Sequence, residues 1–354
     1  MKTALLFDPY LDTLGGGERY FFTFALALQQ YGYKVEIAWN NKEILVQAET
    51  RFGLVLNQLE INTDAYINCS KKTTLLERFK FTSNFDLIFW ISDGSLPFLF
   101  SKNNLVHFQV PFTQIGGNSI INLIKILFIN FFVYNSKFTS AVLEKKLGKS
   151  KSYILYPPID VNQFSPGKKK KMILSVARFD SPSHSKRQDV LIRAFRELSL
   201  QQNNYELCLA GGLKSKDYKI EVLNKLAKGL PIKIVINPSF DIIKKLYAEA
   251  QFFWHAAGYG VNEYKHPENV EHFGMTTVES MSAGCVPIVI NKGGQKEIVS
   301  KGTGILVEDI SGLVKQTVRL IKDNELVESY KKSAIKRSKL YSIEAFNKKI
   351  NSLI

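Results

Sequence analysis

Short runs of Leu, Ile, Val and aromatic residues recur along the chain. Longer stretches separate them, in which apolar residues fall three and four positions apart. The runs at 4–7, 34–39, 86–92, 105–109, 131–135 and 153–156 predict β-strands, and the longer stretches, beginning with 18–30, predict helices. Strand-like runs that alternate with helical patterns are the signature of βαβ units and parallel sheets. A second series of the same kind runs through 172–177, 206–210, 232–236, 252–255, 286–290 and 304–307. Between the two series, Ser165-Pro166-Gly167 followed by four lysines breaks both patterns and predicts a linker. The expected architecture is α/β, with two doubly wound, Rossmann-like domains at 1–165 and 166–340 and a C-terminal helix at 341–354 packing back on the first. Such sheets bind ligands beyond the carboxyl ends of their strands, so a site in a central cleft between facing domains is expected.

A chain of 354 residues can build two domains with their own cores. Its 45% apolar and 22% charged residues exclude coiled coil, collagen and wholesale disorder. Cys69, Cys208 and Cys285 are too widely spaced for a zinc knuckle or a disulfide framework, which suits a reducing, cytoplasmic setting. The apolar run after Lys2 breaks at Asp8-Pro9, too soon for a signal peptide, and no run reaches the ~18 apolar residues of a spanning helix. The formal net charge is +15 and uneven: the first 165 residues hold 16 basic and 13 acidic side chains, the remainder 31 and 19. That bias suits phosphorylated ligands or an anionic membrane surface, or it is a lysine-rich solvated face. No zinc-finger spacing or RNA-module signature directs it to nucleic acid.

Several strand ends carry candidate chemistry. Gly15-Gly16-Gly17-Glu18 follows the first strand and opens a helix; it would let an anion approach the backbone, or it is a plain tight turn. Its spacing is neither Gly-x-Gly-x-x-Gly nor a P-loop. Arg178 ends the strand at 172–177, with Lys186 and Arg187 after a polar loop; cations there suit a diphosphate, or solvent. Gly211 in Ala210-Gly211-Gly212 either admits a ligand or turns the chain. The richest string is Glu271-His272-Phe273-Gly274-Met275-Thr276-Thr277-Val278-Glu279, two glutamates spaced Glu-x7-Glu across a glycine turn. A helix starting near Thr276 would aim its free N–H groups at phosphate or hydroxyl oxygens. Glu279, one turn inside, would accept from vicinal hydroxyls such as a ribose offers.

This string, the Met281-Ser282-Ala283-Gly284-Cys285-Val286-Pro287 after it and the turn at Gly293-Gly294 resemble the signature of glycosyltransferase family 4, retaining enzymes with the GT-B fold. The resemblance extends over nearly the whole chain, through Gly15-Gly16-Gly17-Glu18-Arg19, Asn135-Ser136-Lys137-Phe138, Tyr156-Pro157-Pro158-Ile159-Asp160 and Arg178 with Lys186-Arg187. Glu18-Arg19 and Lys186-Arg187 lean toward the branch holding the lipid-linked-oligosaccharide α-1,2-mannosyltransferase. The resemblance implies a nucleotide-diphosphate sugar donor (GDP-mannose or a UDP-sugar), a glycan or lipid-linked glycan acceptor, and no cofactor. Arg178 and Lys186 would neutralise the donor diphosphate, and Glu279 would hold the ribose. Glu271 and the backbone of Phe273, Gly274 and Met275 would hold donor-sugar hydroxyls, with Thr276 and Gly211 also at the donor. Gly16 and Gly17 would approach the donor phosphate. His107, in Val106-His107-Phe108-Gln109, matches the family's cleft histidine, although a lone histidine on an apolar strand is often a core residue.

The chain has no Asp-x-Asp, and its histidines are scattered at 107, 184, 255, 266 and 272, so transfer without a metal is expected. The loop 258–270, with Glu263, Lys265, His266 and Glu268, departs from the family pattern and has no assignable role, and His272 is expected to face solvent. A noncatalytic sugar-nucleotide-binding module is the alternative; it predicts losses among the phosphate and glutamate positions, and none is lost. Finally, the apolar stretch 114–132 predicts a helix over 119–129, about 16 Å long. Its stripe of Ile120, Leu123, Ile124, Leu127 and Phe128 would lie in a membrane interface, aided by Lys145, Lys146, Lys149 and Lys151, or pack on the first sheet. The first option makes the protein peripheral on the inner face of the cell membrane.

Overall fold

The computed structural model describes residues 1–70, 73–115, 120–179, 186–202, 204–213 and 218–354. It divides into two compact units, Met1–Pro158 with Phe346–Ile354, and Ile159–Ala345. Among the described residues of unit 1, seven parallel strands are β1 (Lys2–Phe7), β2 (Tyr33–Ala38), β3 (Glu60–Asn62), β4 (Leu87–Ile91), β5 (Asn103–Phe108), β6 (Phe131–Tyr134) and β7 (Ser152–Ile154). Their order is β3-β2-β1-β4-β5-β6-β7. The winding reverses between β1 and β4, the doubly wound topology expected from the apolar runs. The sequence pattern does not announce β3. It is three residues long, none of them buried, and Lys34 Nζ anchors it to the sheet edge at 2.9 Å from Glu60.

The helix Gly16–Gln30 packs Tyr20, Phe21, Phe24, Ala25 and Leu28 into the core of unit 1, with Phe24 stacked on Phe89 at 4.0 Å. Phe346, Ile350 and Leu353 close the same core, Phe346 edge-on to Tyr20 at 5.2 Å.

Unit 2 repeats the winding. Its described strands β8 (Lys170–Val176), β9 (Glu206–Gly211), β10 (Ile232–Ile236), β11 (Ala250–His255), β12 (Val286–Ile290) and β13 (Ile305–Val307) are parallel, in the order β10-β9-β8-β11-β12-β13. The stretch 165–171, expected as a linker, is docked on this unit. Gly167 donates to the Ala248 carbonyl at 3.1 Å, and the Lys169 ammonium reaches the carbonyls of Ala283 at 2.7 Å and Tyr247 at 3.2 Å. A lysine that satisfies main-chain acceptors belongs to the packing, whatever its neighbours in sequence.

Asp8 directly follows β1 and is buried. Its Oδ1 accepts the Tyr10 N–H at 2.9 Å, and its Oδ2 has no partner. Burial, reinforced by the charge of Glu18, pushes its pKa from the ordinary 3.8 up to about 7. A carboxyl raised in the fold favours folding while protonated. This contribution is complete below about pH 4 and is lost as pH rises through about 7. Asp8→Asn keeps the acceptor for Tyr10. It should gain stability relative to the parent between about pH 5 and about pH 8, by up to a few kcal/mol. Urea unfolding at both values checks this; an unchanged difference between the proteins would remove the argument.

Candidate active site

In unit 2 the loop 258–270 leads from the end of β11 to Glu271, just ahead of the helix Met275–Ser282. Gly274 caps that helix at φ 115°, where side chains are strained, and a Cβ there would lie 2.9 Å from Gln295 Nε2. Glu271 receives two donors, Lys186 Nζ at 2.8 Å and His255 Nε2 at 2.9 Å. Burial raises its pKa, but the Lys186 charge and the His255 hydrogen bond outweigh burial and hold the carboxyl well below its usual range. Lys186 and Glu271, distant in sequence and both expected at the donor, therefore meet directly. His255 was not expected; its only signal is its place at the end of an apolar strand.

Glu279 is buried in the same helix, and its Oε2 accepts the Tyr247 hydroxyl at 2.9 Å. Tyr247, fully buried in the helix Phe240–Glu249, is a second residue that sequence reasoning missed. Met275 and Thr276 are half-buried at the helix start, while the Phe273 ring is buried edge-on to Tyr341 at 5.3 Å. The Gly293-Gly294 turn after β12 supports this segment from below. Gly294 donates to the Glu271 carbonyl at 2.7 Å, and a Cβ on Gly293 would stand 2.1 Å from that same oxygen.

Arg178 is exposed at the end of β8, where its carbonyl accepts from Gln188 Nε2 at 2.9 Å. Arg187, read with Lys186 as a cation for phosphate, is committed elsewhere. Its guanidinium forks onto Asp189 at 3.0 and 3.1 Å and donates to the Tyr259 carbonyl at 2.8 Å. Gly211 has a structural reason to be glycine, since a Cβ there would lie 1.8 Å from the Ala177 carbonyl oxygen. His272 does not simply face solvent; its Nε2 donates to the Glu268 carbonyl at 3.1 Å. His184 lies outside the described residues.

Unit 1 holds the other expected residues. Gly16, exposed, begins the helix Gly16–Gln30, whose first turn is closed by Glu18 accepting the Gly15 N–H at 2.5 Å. Gly17 makes room for Gln109: a Cβ would lie 1.9 Å from Gln109 Oε1, and Gln109 Nε2 donates to the Gly17 carbonyl at 3.2 Å. Asn135 donates to the Gln109 carbonyl at 2.8 Å, and Ser136 caps the helix Lys137–Leu147. His107, expected at an open cleft, is a fully buried residue of β5. Its ring stacks on Tyr20 at 4.3 Å and Phe89 at 5.3 Å, and Nδ1–H donates to the Val133 carbonyl at 3.0 Å. Burial drives its pKa down to about 3, so the imidazole is neutral, and its Nε2 has no partner.

Two Rossmann-like units, one of them gathering a carboxylate, a lysine and a histidine donor and a glycine-capped helix start, define a GT-B protein. Solved structures agree on the fold. A glycosyltransferase from Rickettsia africae superposes with a TM-score of 0.76 at 18% identity, covering 99% of this chain and 97% of that one. The Anabaena HepE complex with UDP gives 0.72 at 16% identity and 99% of both chains. The sequence model of glycosyl transferases group 1 matches residues 158–337, and the chain belongs to that family. Among curated relatives, the Dictyostelium discoideum GDP-Man:Man(3)GlcNAc(2)-PP-Dol alpha-1,2-mannosyltransferase is 30% identical over 45% of this chain and 33% of its own length. The chain spans less than half the length of the curated relatives it matches.

Because Gly211 faces backbone, Gly211→Ala should act on the fold first. It should cost about 1–3 kcal/mol or more by overpacking, read as a lowered thermal midpoint. An unchanged midpoint with lost nucleotide binding would return this glycine to a ligand.

Proposed function

We propose that the chain transfers a sugar from a nucleotide-diphosphate sugar to a glycan acceptor, with retention of anomeric configuration and without a metal. Unit 2 is the donor unit and unit 1 the acceptor-side unit. The carrying observation is the Glu271 cluster: an ionised carboxylate, Lys186 at 2.8 Å and a helix start beside them, with Glu279 further along that helix. The reaction breaks the anomeric C–O bond to the diphosphate, and its barrier lies in the negative charge left on the leaving group. Arg178, Lys186 and the N–H groups at the start of Met275–Ser282 would stabilise that charge electrostatically. Glu271 would hold donor-sugar hydroxyls and Glu279 the ribose. Retention would follow from same-face attack through an oxocarbenium-like state, the leaving phosphate taking the acceptor's proton. The activity of the Dictyostelium relative favours GDP-mannose as donor and a polyprenyl-diphosphate-linked glycan as acceptor; the UDP in Anabaena HepE keeps UDP-sugars in the test panel.

Arg178→Ala and Glu279→Ala should each lower turnover by about a hundredfold or more with circular dichroism unchanged, and calorimetry should show weaker donor binding. Turnover of the parent should be equal with and without EDTA. Unchanged affinity and turnover in both variants would remove the site. Donor binding without turnover in the parent would favour the noncatalytic module, and an EDTA loss restored by Mg²⁺ or Mn²⁺ would overturn metal independence.

A lipid-linked acceptor is supported by unit 1. The helix Ile120–Phe128 buries none of its side chains; Ile120 is 78% and Leu127 75% exposed. Residues 116–119 at its start lie outside the described residues. Phe128 meets Phe100 at 4.9 Å and Phe100 meets Phe79 at 5.3 Å. These rings extend the apolar face to the helix Leu75–Thr82, where Leu75, Leu76 and Phe79 are exposed. No helix among the described residues is long and apolar enough to cross a membrane. An interfacial helix needs only one apolar face and nearby cations, each worth about 1 kcal/mol at an anionic surface. Lys145 and Lys149 are exposed, whereas Lys146 donates to the Thr113 carbonyl and Lys151 caps the helix end through the carbonyls of Ile126 and Ile129 at 2.7 and 2.6 Å. Co-sedimentation with anionic vesicles should exceed that with neutral ones, fall with salt, and fall again in Leu123→Ser/Leu127→Ser with the fold intact. Equal recovery in the supernatant with and without vesicles would point to a soluble acceptor.

A further inference from the structure

The loop 258–270 carries one carboxylate that solvent barely reaches. Glu263 is 7% exposed; its Oε2 accepts the Gly293 N–H at 2.8 Å and its Oε1 the Lys296 ammonium at 2.6 Å. Burial raises its pKa, and the Gly293 hydrogen bond and the Lys296 partner bring it below the usual range. A buried carboxylate stays ionised only where such partners replace its hydration.

What Glu263 holds is the turn under the Glu271 segment. Gly294 donates to the Glu271 carbonyl at 2.7 Å. A Cβ on Gly293 would meet that carbonyl at 2.1 Å, and one on Gly294 would meet the His272 carbonyl at 2.4 Å. Contact this close transmits any shift of the turn to Glu271. The same loop reaches the other half of the ion pair. The Tyr259 carbonyl accepts Arg187 Nη1 at 2.8 Å, the Tyr259 ring lies 5.4 Å from the guanidinium carbon, and Arg187 adjoins Lys186. The loop therefore braces both Lys186, through Arg187, and Glu271, through Gly293.

We infer that Glu263 is a positioning residue: it pins the Gly293-Gly294 turn, and the turn aims Glu271 at the sugar of the donor. The inference rests on the donor reading above. Glu263 touches no ligand in this scheme, so its loss should be felt by the sugar more than by the nucleotide.

Calorimetric titration of the full chain with GDP-mannose or UDP-glucose, whichever the parent binds, and with the matching nucleoside diphosphate separates these effects. Glu263→Ala should weaken binding of the nucleotide sugar about tenfold and of the nucleoside diphosphate less than about threefold. Glu263→Gln, which still offers Gly293 an acceptor, should recover most of the loss. Tyr264→Ala, in the same loop and 86% exposed, should match the parent. If Glu263→Ala does not fold, Lys296→Met carries the comparison, with a smaller loss of the same selectivity. Equal weakening of both ligands, or of neither, in a chain whose parent binds them overturns the positioning role alone. A parent that binds no nucleotide sugar overturns the donor reading and the inference with it.

Discussion

One ionised carboxylate organises unit 2. Glu271 draws Lys186 from beyond β8 and His255 from the end of β11 to a single point, and each would be costly to bury alone. Much of the surrounding geometry serves that meeting. The parallel sheet brings two strand ends side by side, Gly274 lets a helix start immediately afterwards, and Gly293-Gly294 passes beneath at a distance no side chain would allow. Removing Lys186 would leave the Glu271 carboxylate without its cation, so the pair is held as a unit.

The two sheets were legible because strand-like runs alternate with helical stretches along the chain, the signature of βαβ units. β3 escaped because three residues, none of them buried, are too short to show a period, and its pairing is with β2, more than twenty residues earlier. The run at 165–171 reads as a linker from its Pro, Gly and lysines, and only the fold reveals the carbonyls that receive the Lys169 ammonium.

In the candidate site, the glycine turn and helix start of the string from Glu271 to Glu279 were legible, but the pairing of Lys186 with Glu271 was not. His255 and Tyr247 were not, because a polar side chain on an apolar element carries no local sign of its partner. Glycines were legible as points of close approach but not in what approaches: the Gln109 side chain at Gly17, and the Ala177 carbonyl at Gly211. His107 shows the same limit, since a strand-end position does not reveal that Tyr20 and Phe89 cover its ring.

The closure of the unit 1 core by Phe346, Ile350 and Leu353 imposes an order on synthesis. Everything in unit 2 up to Ala345 leaves the ribosome before those three residues do. Unit 2 is thus free to complete its own sheet during translation, while the nascent unit 1 waits with Tyr20 and Phe24 lacking the Phe346 ring. The domain made first is the domain finished last. During that interval its uncovered aromatic residues present apolar surface that a chaperone can cover.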